Sequence, residues 1–345
     1  SLLLPLLKIQ SLHMEKIRVA INGFGRIGRI TFRALMQKAN VEVVAINDLT
    51  DAQTLAHLLK YDSIHGRFPG EVQAGADHFM VNGQKIAISA ERDPAACPWN
   101  SHKVDVVLEC TGRFLDSDSA SGHIKAGAKR VLLSAPAKSS DIKMVVLGAN
   151  ESIIEPSDQI ISNASCTTNC VSPLVKVVDD LCGIENGFMN TIHAYTADQN
   201  LQDAPHGDLR RARAAALSLV PTSTGAARAI GKIFPHLAGK LDGTSIRVPT
   251  PTGSLTDMSL VVRNPIAAEE INAAFKQAAE GALKGILEYT ADPIVSADIV
   301  SNPHSCIFDS QMTFVKDNLV KVFGWYDNEA GYSNRLADLC VFVGK

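Results

Sequence analysis

The chain has 345 residues, is 46% hydrophobic and 6% aromatic, and carries a net charge of −3. Two domains of a globular α/β protein are expected at that length. The charge leaves no broad basic field for nucleic acid as a primary partner, and no apolar run approaches the roughly 20 residues of a membrane span.

Residues 1–13 are leucine-rich but too short, and wrongly flanked, for a signal peptide. Met14 directly precedes the first strand, so they read as an upstream extension of unknown role. Ile17–Ile21 is an apolar run of the buried-strand kind, followed at once by Gly23-Phe24-Gly25-Arg26-Ile27-Gly28. A second strand, Val41–Ile46, ends at Asp48, twenty residues after the last glycine. In this spacing Gly23 permits a tight turn, Gly25 lets backbone amides approach a pyrophosphate, and Gly28 lets the next helix pack on the sheet. The helix start faces the phosphates, and Asp48 is placed for the adenosine ribose.

His78–Ile88 reads as a hairpin about Asn82-Gly83. Val104–Glu109 and Arg130–Ser134 read as buried strands joined by a helix over 120–129. Met144–Leu147 and Gln159–Ser162 complete a mostly parallel sheet of the doubly wound Rossmann type. Beyond Ser165 a helix is expected over Cys166–Leu181, then an extended run Met189–Thr196 and a polar, arginine-rich loop from Ala197 to Pro221. Strands at Thr244–Val248, Ser254–Val262 and Ser305–Phe314, with a helix over Ala267–Leu283, indicate an α+β domain on a mixed sheet. Glu329–Lys345 reads as an amphipathic helix returning to the first domain. The expected division is therefore 14–165 for dinucleotide binding, 166–328 for catalysis and 329–345 for the returning helix.

Seven cysteines without an even, closely spaced framework fit a reducing compartment, the cytoplasm. Cys166 and Cys170 lack the further ligands of a zinc site, so no metal is expected. Cys97, Cys110, Cys182, Cys306 and Cys340 read as structural. Cys166 differs: it stands at a helix start among Ser and Thr hydroxyls, where amide dipoles favour thiolate over thiol. A nucleophilic thiol needs a basic partner, and His193, at the end of an extended segment, is the candidate.

The chain resembles the phosphorylating glyceraldehyde-3-phosphate dehydrogenases from about Met14 to Lys345. The matching runs include Ile21–Arg29, Ser162–Cys170, His193–Thr196, Arg210–Ala215, Ser223–Ala227, Arg247–Pro251 and Trp325–Glu329. The resemblance implies that Cys166 attacks an aldehyde to form a hemithioacetal, while His193 takes the proton and holds the oxyanion with the Cys166 amide. Hydride transfer to NAD would leave a thioester that inorganic phosphate resolves. Thr196 and Arg247 would bind the phosphate of glyceraldehyde 3-phosphate; Ser165, Thr167, Thr224 and Gly225 would bind the attacking phosphate. Asn22, Gly23, Gly25, Arg26, Ile27, Gly28, Asp48, Arg92, Thr111 and Ser134 would line the cofactor site, and Asn328 would fix the nicotinamide amide. A homotetramer is implied, with the arginine-rich loop near a neighbour's cofactor.

Asp48 favours NAD over NADP, whereas Asn200 and Ala204-Pro205 depart from the pattern of NAD-using relatives and loosen that expectation. Erythrose-4-phosphate dehydrogenase shares the apparatus and is the first alternative. A non-catalytic dinucleotide-binding protein is another, although it would be expected to lose Cys166, His193 or Arg247.

Overall fold

The computed structural model describes residues 15–345; the expected extension at 1–13 lies outside them. Nine strands build the first sheet: β1 (Ile17–Asn22), β2 (Val41–Asn47), β3 (Val72–Ala74), β4 (His78–Val81), β5 (Gln84–Ser89), β6 (Val106–Glu109), β7 (Arg130–Leu133), β8 (Lys143–Met144) and β9 (Ile160–Ser162). Their order is β3-β4-β5-β2-β1-β6-β7-β9-β8. From β5 to β8 every neighbour is parallel, and β3 and β4 run antiparallel at one edge. Both faces are covered, which is why the central strands are mostly apolar. Val19 and Ile21 pack with Phe32 on one side, while Ala20 and Val107 pack with Trp99 on the other.

Helices α1 (Arg26–Leu35), α2 (Ala52–Lys60) and α3 (Ser117–Lys125) connect these strands. The hairpin turn at Asn82-Gly83 has both residues at positive φ, 50° and 80°, as a two-residue turn matched to strand twist requires. The strand expected over 144–147 stops at Met144. There the Asn150 side chain accepts from the Val146 N–H and donates to the Met144 carbonyl, at 2.8 and 3.0 Å, closing a turn where a ladder would continue.

The second sheet contains β10 (Ile184–Ala194), β11 (Val220–Ser223), β12 (Leu241–Val248), β13 (Ser254–Val262), β14 (Leu287–Thr290), β15 (Cys306–Asp309), β16 (Phe314–Lys316) and β17 (Leu319–Tyr326). Its order is β11-β12-β10-β13-β17-β15-β14, with β16 paired to β17. The β10–β12 and β14–β15 pairs are parallel and the others antiparallel, so the sheet is mixed. Helices α4 (Cys166–Cys182), α5 (Ala226–Ile233) and α6 (Ala268–Glu280) cover one face. Leu174, Val178, Ile230 and Phe275 join Met189, Met258 and Val322 in its core, and Phe275 stacks on Phe308 at 3.7 Å.

The single strand expected over 305–314 is split. Asp309 accepts from the Gln311 N–H and caps a short 3₁₀ turn between β15 and β16. The final helix is α7 (Ala330–Val343). Leu336, Leu339, Cys340 and Val343 pack with Ile17, Phe32 and Leu35, which joins the end of the chain to its beginning.

Candidate active site

Cys166 is the first residue of α4, and its placement follows from a constrained turn. Ala164 adopts the left-handed region at φ 57°, a conformation that costs an ordinary residue energy and persists only when its surroundings fix it. Here the Tyr332 hydroxyl of α7 donates to the Ala164 carbonyl at 2.9 Å. Asn169 ties the same turn from within α4, donating to the Asn163 and Ser165 carbonyls. Ser165 is the N-cap and accepts from the Thr168 N–H at 3.1 Å. The half-buried Cys166 thiol therefore stands at the positive end of a 17-residue helix.

His193 approaches from the C-terminal end of β10. Its Nε2 lies 3.5 Å from Cys166 Sγ. Nδ1 lies 2.6 Å from the Ala194 carbonyl, which can only accept, so Nδ1 carries the hydrogen and Nε2 presents a lone pair to the thiol. Burial and the neighbouring Arg247 charge push the imidazole down to about 4. Burial also pushes the Cys166 thiol up, against Arg247 and the hydrogen bonds of Thr167, which pull it down. Burial disfavours either charge taken alone in this setting. The charge-separated pair is the accessible ionised state, because each charge offsets the other at 3.5 Å.

Parallel register places Arg247 of β12 directly beside His193. Arg247 Nη1 donates to Thr196 Oγ1 at 2.7 Å and to the Ala194 carbonyl at 3.2 Å. Its buried Nε has no hydrogen-bond partner among the described residues. Asp198 accepts from Thr196 and receives Arg211 at 2.8 Å. A cleft of about 700 Å³ opens here, lined by Ser165, Cys166, Thr167, His193, Arg211, Thr224, Gly225, Arg228, Lys232 and Arg247. Four cationic side chains thus converge on one cavity of a chain whose net charge is negative. Thr224 accepts from the Ala226 N–H at 3.2 Å, bracing the turn before α5 while its hydroxyl hydrogen stays available. Thr167 shares its hydroxyl with Tyr326 at 2.9 Å.

A second cleft, of about 340 Å³, lies at the C-terminal ends of β1, β2 and β6, where the strand order reverses. Asn22, Gly23, Gly25, Asp48, Arg92 and Thr111 line it. Gly23 has φ 90°, and a Cβ there would meet Thr111 and Cys110 under 3 Å. A Cβ on Gly28 would come within 2.2 Å of the Gly23 carbonyl, whereas Gly25 faces open space. The start of α1 has no side-chain cap, so its amides point into the cleft unclaimed. Asp48 accepts from the Phe24 N–H at 2.7 Å and from the Thr50 N–H at 2.9 Å, bracing the glycine turn. This donor set fits a dinucleotide.

Two family profiles match the chain. The one described as glyceraldehyde 3-phosphate dehydrogenase, NAD binding domain, covers residues 17–117, and its C-terminal domain covers 165–328. Glyceraldehyde-3-phosphate dehydrogenases of Mycobacterium avium and Mycobacterium tuberculosis (strain ATCC 25618 / H37Rv) are each 60% identical over 336 residues, spanning 95% of this chain and 99% of theirs. Glyceraldehyde-3-phosphate dehydrogenase 2 of Streptomyces avermitilis is 57% identical over 331 residues, spanning 95% of this chain and 98% of its own. The chain belongs to the glyceraldehyde-3-phosphate dehydrogenase family. It is an NAD-dependent oxidoreductase.

Within the dehydrogenase, several of the expected cofactor residues have partners of their own in the fold. The Arg26 guanidinium is held by Glu329 at 2.8 and 2.5 Å and by Asp62 at 2.5 Å, so it clamps the glycine turn to the start of α7. Asn328 accepts from Ser254 at 3.0 Å and Thr252 at 3.3 Å, which leaves its amide nitrogen to donate. Ile27 is half-buried against the first core, and Ser134 follows β7, its N–H donating to the Glu109 carbonyl. Cys110, read as structural, lines the cofactor cleft, although burial holds its thiol up at about 12. The sequence reading missed Tyr326, Tyr332, Arg211, Arg228 and Lys232. The spacing of Arg228 and Lys232, four residues apart on α5, was the available signal for a basic helix face.

Proposed function

We propose that this enzyme oxidises glyceraldehyde 3-phosphate to 1,3-bisphosphoglycerate with NAD and inorganic phosphate. The observation that carries the reading is the Cys166–His193 pair at 3.5 Å, opening into a cleft that gathers Arg211, Arg228, Lys232 and Arg247. His193 Nε2 takes the thiol proton as Cys166 Sγ adds to the aldehyde carbon, giving a hemithioacetal. The imidazolium then donates to the new oxyanion, together with the Cys166 N–H, which has no intrahelical partner in the first turn. NAD, when bound, supplies the hydride acceptor. Loss of hydride from the hemithioacetal carbon leaves a thioester on Cys166, and a phosphate oxygen attacks its carbonyl to release the acyl phosphate and regenerate the thiol.

Arg247 and Thr196, already bridged at 2.7 Å, hold the phosphate of the substrate; a guanidinium fork suits that anion better than an ammonium. Ser165, Thr167, Thr224 and Gly225, which line the same cleft as Arg247, hold the attacking phosphate. Asn22, Gly23, Gly25, Arg26, Ile27, Gly28, Asp48, Arg92, Thr111 and Ser134 seat the cofactor, and Asn328 orients the nicotinamide amide.

A homotetramer in the cytoplasm completes the reading. Leu201, Leu209, Leu217 and Leu219 on the arginine-rich loop are each at least 68% exposed, a cluster of apolar surface that suits burial against another subunit. No helix among the described residues is long and apolar enough to cross a membrane. The seven cysteines are free, consistent with a reducing compartment. The test is NADH formation: it should require glyceraldehyde 3-phosphate and phosphate together, and erythrose 4-phosphate should serve poorly. Equal efficiency on both sugars would move the assignment to the erythrose enzyme.

A further inference from the structure

Behind the cofactor cleft lies a buried acidic side chain that the chemistry above does not use. Glu109, the last residue of β6, and His123 on α3 are both fully buried. Glu109 sits in register with Asn22 of β1, at the point where the strand order reverses. One carboxylate oxygen accepts from the Thr111 N–H at 2.8 Å and from the Thr111 hydroxyl. The other accepts from Asn22 Nδ2 at 2.6 Å and from His123 Nε2 at 2.9 Å. Trp99 Nε1, which can only donate, lies 2.9 Å from His123 Nδ1. The imidazole therefore keeps its lone pair on Nδ1 and its hydrogen on Nε2, aimed at the carboxylate.

Burying a carboxylate is costly unless its oxygens are satisfied, and four donors satisfy this one. Three of those donors belong to residues that line the cleft, one from Asn22 and two from Thr111. The chain of contacts continues from Asn22 Oδ1 to Asn47 Nδ2 at 2.8 Å, and from Asn47 Oδ1 to the Glu91 N–H at 2.7 Å. Asn47 and Glu91 line the same cleft. Thr111 in turn closes on Gly23 so tightly that no Cβ would fit between them. Residues on both sides of the cleft are thus fixed through a single buried carboxylate.

We infer that Glu109 and His123 are positioning residues of the dinucleotide site, setting the wall that receives the adenosine diphosphate half beside Asp48. This rests on the reading of the second cleft as the cofactor site. Glu109→Gln preserves shape but turns an amide nitrogen towards one pair of donors, so Asn22, Thr111 or the imidazole must move. Trp99 blocks the tautomer change that would relieve the clash.

The experiment measures Kd for NAD and for ADP-ribose by calorimetry on the intact enzyme, alongside KM for glyceraldehyde 3-phosphate and the alkylation rate of Cys166. In Glu109→Gln both dissociation constants should rise about tenfold, the scale on which supporting contacts to a binding residue act. The KM and the alkylation rate should stay within about twofold. Unchanged affinity for ADP-ribose overturns the inference, as does an equal loss in all four quantities, which would mark a general distortion. If the wild-type enzyme itself fails to bind ADP-ribose, the reading of the cleft falls and takes this inference with it. Should Glu109→Gln not fold, Trp99→Phe retains the carboxylate and frees the imidazole to change tautomer. About threefold weaker ADP-ribose binding is expected there, and wild-type affinity overturns the proposal.

Discussion

Replacing His193 tests how Cys166 becomes a nucleophile. The Sγ···Nε2 separation of 3.5 Å sets the size of the effect. At an effective dielectric constant near 20, two opposite unit charges at that distance attract by about 5 kcal/mol. Burial, which disfavours both charges, cancels part of that gain, so a net shift of roughly one to three pKa units in the thiol is expected. In His193→Gln the pH profile of iodoacetamide alkylation should move upward by that amount. Turnover should fall about 10²–10³-fold, the scale of losing a positioned base and an oxyanion donor. Alkylation profiles that superimpose for the two proteins would refute the pairing, because the thiol would then ionise without the imidazole.

The same substitution has a stability signature. His193 is pushed down to about 4 from an ordinary 6.5, so between those values the unfolded chain binds the extra proton and the folded chain does not. The wild type gains stability as pH rises from about 4 to 6.5 and loses about 3 kcal/mol on the way down. His193→Gln should flatten that part of the thermal-unfolding profile.

Arg247→Ala removes the guanidinium that bridges to Thr196 and should raise KM for glyceraldehyde 3-phosphate about tenfold to a hundredfold, as loss of a charge-assisted contact predicts. The Kd for NAD, measured in parallel, should hardly change; equal losses would make Arg247 a structural residue. Asp48→Asn keeps an acceptor for the Phe24 N–H but removes the charge that repels a 2′-phosphate, so the NADP-to-NAD ratio of kcat/KM should rise at least about tenfold. An unchanged ratio would place discrimination elsewhere. Gly28→Ala drives a Cβ to 2.2 Å from the Gly23 carbonyl and should cost roughly 3 kcal/mol of stability, read as a lower Tm together with weakened NAD binding. Wild-type Tm and affinity would contradict the packing described.

Much of this architecture was legible in the residues because local pattern and tertiary need agree there. The middle of β1, Val19–Ile21, is apolar because both its faces are covered, and Asn82-Gly83 turns because both residues adopt positive φ. Cys166 stood out because Ser165 caps a helix immediately before it. The second half was harder. β17, in the interior of its sheet, alternates buried Val320 and Val322 after a turn at Asp317 with φ 54°, a signal available in its pattern but passed over. β8 stops early because one side chain, Asn150, competes for ladder positions, and no periodicity reveals such competition. The Arg26–Glu329 clamp, the Tyr332–Ala164 contact and the Glu109–His123 pair join residues far apart in the chain. Their partners follow only from the fold, and nothing in the glycine motif shows that the Arg26 side chain meets Asp62 and Glu329. The burial that pushes the Cys166 thiol up depends on what surrounds the site, and a position at a helix start does not reveal it.

The central claim is that substrate carbon becomes an acyl thioester on Cys166. Mixing enzyme, NAD and glyceraldehyde 3-phosphate without phosphate, quenching in acid and mapping peptides by mass spectrometry tests it directly. The account predicts an acyl adduct confined to the Cys166 peptide, appearing with about one equivalent of NADH per subunit, since the residue can turn over only once, and disappearing when phosphate is added. Steady NADH production without phosphate, or an NADH burst that survives in Cys166→Ser, would contradict it.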